Sequence, residues 1–197
     1  MFIFVRQVKS LALSTGYKIT GDGLYYLTFQ IVGWVDIFTR KIYRDQVIES
    51  LRYCQLNKGL CLYAFVIMSN HMHVLAQSDT GNLSGIVRDF KNHTSKKFLE
   101  VLSDPAESRR DWMRLVFEYH GKHKNNQTHQ IWTHENHAEH IRSQKFIEQK
   151  VDYIHNNPVR AGIVLQPEDY LYSSARNYAE LDNLIDVIRI DFRWKTV

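Results

Sequence analysis

At 197 residues with a formal charge of +4, the chain is long enough for one well-filled core and too modestly basic to require a polyanionic partner. Hydrophobic content of 44%, charged content of 23%, 3 Pro and 9 Gly exclude a disordered or fibrous chain, and no run approaches the length of a membrane span. Cys54 and Cys61 form no C-x-x-C pair, which argues against a disulfide scaffold or a zinc knuckle and for a reduced, cytoplasmic setting.

The amino-terminal stretch MFIFVRQVKSLAL is interrupted by Arg6 and Lys9 before it reaches the length of a signal-peptide core. From Leu24 to Phe38, β-branched and aromatic residues predict a first strand, entered through Gly21 and Gly23. Val47, Ile48, Leu51 and Leu56 recur at helical spacing between Lys41 and Asn57, with Lys58-Gly59 as a stop. Cys61 to Met68 and the run opened by His71 predict two strands about a turn at Ser69-Asn70. Leu83, Ile86, Val87, Phe90, Phe98, Leu99 and Leu102 mark a second helix, whose other faces carry Arg88, Lys91, Lys96 and Lys97.

Residues 103–130 contain Asp104-Pro105, Arg109-Arg110 and the polar run HGKHKNNQTHQ, and read as a lid-like loop region around a short apolar piece from Trp112 to Phe117. Ile131-Trp132 then supplies a closing strand. The order is β-α-β-β-α-β, an α+β, ferredoxin-like antiparallel sheet with helices on one face, followed by a C-terminal helix. In that helix, Ile141, Ile147, Val151 and Ile154 form one stripe from Ala138 to Asn156, and Pro158 ends it by pushing its predecessor out of helical geometry. Val187 to Phe192 reads as a last strand. One domain spans residues 1–197, with its core at about 20–180.

Two features carry chemistry. In VIMSNHMHVLA, His71 and His73 are separated by one residue on a strand, so both rings point to the same side while Met72 points to the core. Two neutral imidazoles leave coordination positions open, as a catalytic ion requires. In VDYIHNNPVRAG, Gln149, Tyr153 and Asn157 fall in one helical row with Lys150 beside it. Asn157 offers an uncharged oxygen as third ligand; His155 is the competitor and projects to nearly the opposite side. A divalent ion at His71, His73 and Asn157 would polarise a phosphate oxygen while Tyr153 attacks phosphorus. Lys150, Arg88, Lys91, Lys96 and Lys97 are candidate contacts to a nucleic-acid backbone, as are Arg109 and Arg110.

The segments VIMSNHMHVLA, YIHNNPVRAGIV and PEDYLYSSARNY, supported by FKNHTSKKF and IWTHENHAEHI, resemble the single-tyrosine HUH transposases of bacterial insertion sequences. The subgroup associated with repetitive extragenic palindromes is the nearest in pattern. The resemblance implies that His71, His73 and Asn157 hold the metal and that Tyr153 is the nucleophile. It further implies cleavage and rejoining of single-stranded DNA near hairpins through a 5′-phosphotyrosine. Imidazole ligands alone suit a softer ion such as zinc, whereas the resemblance implies Mg2+ or Mn2+. Members of this group act as dimers or as monomers, so a homodimer is one expectation. Ser69, Leu171-Tyr172 and the long segment 103–130 depart from the usual pattern, which bears on the shape of the DNA surface. Two other readings use the same residues: a metal-dependent hydrolase built on the H-x-H pair with acidic ligands, and a hairpin-binding module that does not cut.

Overall fold

A computed structural model describes residues 18–122 and 127–191; the amino-terminal stretch, part of the HGKHKNNQTHQ run and Phe192 lie outside the described residues. Strands β1 (Tyr25–Gln30), β2 (Leu60–Ile67), β3 (His71–Ser78) and β4 (Glu139–His140) pair antiparallel in the order β2-β3-β1-β4. This is the ferredoxin-like arrangement. The helices are α1 (Lys41–Lys58), α2 (Leu83–Val101), α3 (Arg110–Lys122), α4 (Gln144–Arg160) and the single turn α5 (Ala175–Tyr178).

Strand alternation divides the apolar residues between two cores. Leu27, Phe29, Leu62, Met72, Val74 and Ala76 face α1 and α2, where Phe38, Phe90, Phe98 and Trp132 pack ring against ring. Tyr26, Ala64, Val66 and Leu75 face the other way, onto Val151 and Ile154 of α4. A register shift between Leu62 and Ala64 reverses the alternation of β2, so that Leu60 and Leu62 before it share a face with Phe65 and Ile67 after it. The outer edge of β2 is covered by the C-terminal segment: Tyr172 O accepts from Ile67 N, Phe65 O from Ser174 N and Leu62 O from Ile188 N. Capping an edge in this way removes a template for unwanted pairing.

Several expectations are corrected. The first strand ends at Gln30, because two short 3-10 turns, Val32–Trp34 and Ile37–Thr39, carry the chain to α1. Residues 103–130 are not a loop around a short apolar piece but contain α3, whose Met113, Phe117 and Gly121 are buried at four-residue spacing. Ile131-Trp132 contributes only an isolated bridge, Ile31 to Trp132; the regular closing ladder forms further on, at Glu139–His140. Pro158 does not end α4, which continues to Arg160 and stops at Gly162 with φ +70°. A proline in a last turn forfeits one hydrogen bond, and Pro158 is buried in return. No strand forms at residues 187–191; Ile188 and Ile190 dock by single backbone donors to Leu62 O and Tyr178 Oη.

His155 lies on the buried side of α4, with Nε2 2.9 Å from Ser174 Oγ and its ring against Tyr178. Burial lowers its pKa to about 4. The stability gained by keeping it neutral is complete above the unfolded value near 6.5 and is lost as pH falls towards about 4. The urea midpoint of His155→Gln is therefore expected to fall less over that interval than that of the parent. Ile154 is fully buried beneath the sheet. Ile154→Ala is expected to cost about 2–5 kcal/mol in urea unfolding, by transfer and cavity terms together.

Candidate active site

Register sets the site. Thr28 pairs with His73 and Gln30 with His71, so the two imidazoles rise from the α4 face of β3 beside the side chains of β1. Their ring centroids are 4.9 Å apart. Each ring is held from behind through Nδ1. His71 Nδ1 lies 2.7 Å from Asn70 Oδ1, and His73 Nδ1 lies 2.8 Å from the Tyr26 hydroxyl and 2.9 Å from Thr28 Oγ1. With the proton on Nδ1, both rings donate to these oxygens and leave Nε2 for a ligand, which is how outer groups orient metal-binding histidines.

His73 Nε2 is buried and has no hydrogen-bond partner among the described residues. Burial, followed by the neighbouring His71 and Lys150, lowers the His73 pKa to about 3, and burial lowers that of His71. Both rings are thus neutral with available lone pairs, the state a cation needs. The donor set fits a divalent ion. Among the described residues, no group of three His, Cys, Asp or Glu side chains gathers, so an ion held here would need further ligands from an amide, substrate or water.

Tyr153 closes the site. Its ring meets His73 edge-on at 5.3 Å and Tyr26 at 6.3 Å, within one chain, and the residue is 37% exposed. Tyr26 is the inverse case: burial holds its phenol well above the ordinary range, so it stays protonated as a positioning group. Lys150 is spent on structure, with Nζ 2.8 Å from Glu139 Oε2 and 3.9 Å above the Tyr26 ring. The guanidinium of Arg160 lies 5.2 Å from the Tyr153 ring centre and is the cation next to the candidate nucleophile. Asn157 stands between them in sequence, one turn beyond Tyr153 on the same helix.

The sequence did not single out Tyr26, Thr28 or Arg160. Arg160 continues the row Tyr153, Asn157, and the signal was hidden by ending the helix at Pro158. Tyr26 and Thr28 become visible only through the β1–β3 register. The α2 residues do not join Tyr153: Arg88 pairs with Asp89, Lys97 with Glu100, and Lys96 is exposed. Lys91 turns inward to Thr133 O and Asn136 Oδ1, and burial lowers its pKa to about 8. Arg88, Lys91 and Lys96 instead line a groove of about 1110 Å³ between α2 and residues 127–136. Arg109 ties Asp36 and Thr39 to the start of α3, and Arg110 pairs with Asp111.

A ferredoxin-like sheet that sets an H-x-H pair beneath a helix-borne tyrosine defines a single-tyrosine HUH protein. Residues 27–157 match the family model described as transposase IS200 like, and the chain belongs to that family. Among solved structures it is similar to a REP-associated tyrosine transposase bound to a REP hairpin. The TM-score is 0.53 and the identity 21%, over 98% of this chain and 95% of that one, a likeness of fold. No curated protein matches. No helix among the described residues is long and apolar enough to cross a membrane.

In the metal-free protein at about pH 5.5, where an ordinary imidazole is mostly protonated, the ring nitrogens of His73 are expected to give the 15N shifts of a neutral ring. Shifts of imidazolium at that pH would contradict the desolvated site described here.

Proposed function

We propose that this protein cleaves and rejoins single-stranded DNA beside hairpins, with Tyr153 as nucleophile and a divalent ion, Mg2+ or Mn2+, held by His71, His73 and Asn157. The observation that carries the reading is the contact of the Tyr153 ring with His73 in one chain. Along α4, Lys150 lies over Tyr26 and Tyr153 over Tyr26 and His73, a progression that runs towards His71 and supports Asn157 as the third ligand. Family membership supports the reaction class, and the hairpin bound to the structural neighbour supports the kind of DNA.

In this reading Tyr153 Oη attacks phosphorus, the bond to the 3′ oxygen breaks, and the 5′ phosphate remains on the tyrosine. The phenol gives up one proton and the departing 3′ oxygen takes one, so one phosphoester replaces another and rejoining is the reverse step. When bound, a divalent ion supplies charge compensation at the phosphate. Arg160 favours the developing phenolate and the phosphate by charge, while Asn70, Tyr26 and Thr28 hold the imidazoles in line. The groove on α2, where Arg88 and Lys96 are the outward cations, offers positive charge for a duplex stem away from the chemistry. No cluster of acidic ligands accompanies the histidines among the described residues, so a water-activating hydrolase lacks its own supporting observation.

Incubated with hairpin-bearing single strands and Mn2+, the protein is expected to form an adduct that survives denaturation. Tyr153→Phe is expected to bind DNA without forming it, and adduct from that variant would remove the nucleophile assignment. His73→Ala is expected to lower cleavage by roughly 10²–10³-fold, and chelation to abolish it. A mixture of Tyr153→Phe and His73→Ala proteins is expected to stay inactive, because each copy assembles its own site. Restored cleavage in the mixture would mean that the tyrosine serves a partner.

A further inference from the structure

Gly33 and Trp34 follow β1 with consecutive left-handed backbones, φ +62° and +56°. A Cβ on Gly33 would lie 2.8 Å from Val116 Cγ1 of α3, so glycine is required there. Nothing comparable calls for tryptophan next to it, since this backbone region favours glycine or asparagine over an aromatic residue. The core gains nothing either. Trp34 is 67% exposed, whereas Val32, Val35, Ile37 and Phe38 of the same loop are buried.

The loop is firmly placed. Ile31 N donates to Asn70 O, Val32 N to Ile131 O and Phe38 N to Ser69 O, at 2.9–3.0 Å. It is also joined to the candidate active site through one side chain. Asn70 Oδ1 holds His71 Nδ1 at 2.7 Å, and Asn70 Nδ2 donates to Trp34 O at 3.4 Å. An exposed indole is thus presented on a fixed loop, one carboxamide from the histidine pair, at a cost in backbone conformation that folding does not repay. An aromatic residue held in this backbone conformation beside the candidate site points to recognition.

We infer that Trp34 is a stacking platform for an unpaired nucleobase of the DNA strand that enters the histidine–tyrosine site. This rests on the single-stranded DNA substrate proposed above. Bases flanking a cleaved phosphate in a single strand have exposed faces, and stacking on an aromatic ring fixes them without demanding a sequence. The indole supplies the largest such face, and Asn70 couples its loop to the ring that binds the ion.

The test uses uncleavable complexes of Tyr153→Phe protein with labelled single strands, read by fluorescence anisotropy. Adding Trp34→Gly is expected to weaken binding roughly 10- to 100-fold, and Trp34→Phe to keep most of the affinity. Thermal melting of the glycine variant is expected at the parent temperature or above, because the left-handed backbone is relieved. Scanning an abasic site along the strand is expected to weaken binding at one or two positions for protein containing Trp34, and to cause no further loss there for Trp34→Gly. Unchanged affinity in Trp34→Gly overturns the inference, as does equal abasic sensitivity in both proteins. Binding that depends on Trp34, in a parent protein that forms no covalent adduct, would leave the platform standing and remove the nucleophile. A parent that binds no single strand would remove both.

Discussion

The hydroxyl of Tyr26 against Nδ1 of His73 is the contact on which the rest of the site depends. It fixes the ring's rotation in a place where burial keeps the imidazole neutral, and it turns Nε2 away from the sheet. The same tyrosine ring supports Lys150 and meets Tyr153 edge-on, so one buried aromatic residue joins His73 to the helix that carries Tyr153. The price of burying a phenol and an imidazole together is offset because they satisfy one another.

Much of this arrangement was legible in the chain. The one-residue spacing of His71 and His73, with an apolar residue between, required a shared face once a strand was assigned. The sheet order followed from the alternation of strand and helix patterns. Tyr153 stood out because its helical row was polar where the neighbouring row was apolar. The failures are equally physical. Proline is a weak helix breaker in a last turn, so Arg160 belongs to a helical row that Pro158 conceals in the sequence. Helix α3 has a weak sequence signal because its buried stripe, Met113, Phe117 and Gly121, is only one residue wide, while Trp112, Leu115 and Tyr119 stand exposed on its other faces and blur the apolar period. Tyr26 and Thr28 carry no local signal, since their role exists only across strands.

Charge is distributed by function more than by total. Lys150 and Lys91 look like surface cations in sequence, yet both are consumed by the fold, one over an aromatic ring beside a carboxylate and the other on backbone and amide oxygens. Arg160 and Lys96 remain on accessible ground on opposite faces of the sheet. A net charge of +4 therefore understates how separately the two surfaces are supplied with cations.

The segment after α4 has a consequence for how the tyrosine-bearing helix is held. Ser174 binds His155 on the back of that helix and both backbone groups of Phe65 in β2, while Tyr170 reaches Ile67 O. A motif remote from the histidine pair thereby acts as a backstop, fixing the depth at which Tyr153 sits over the histidines. Polypeptide shortened ahead of this clasp would retain every reactive group and lose the alignment among them.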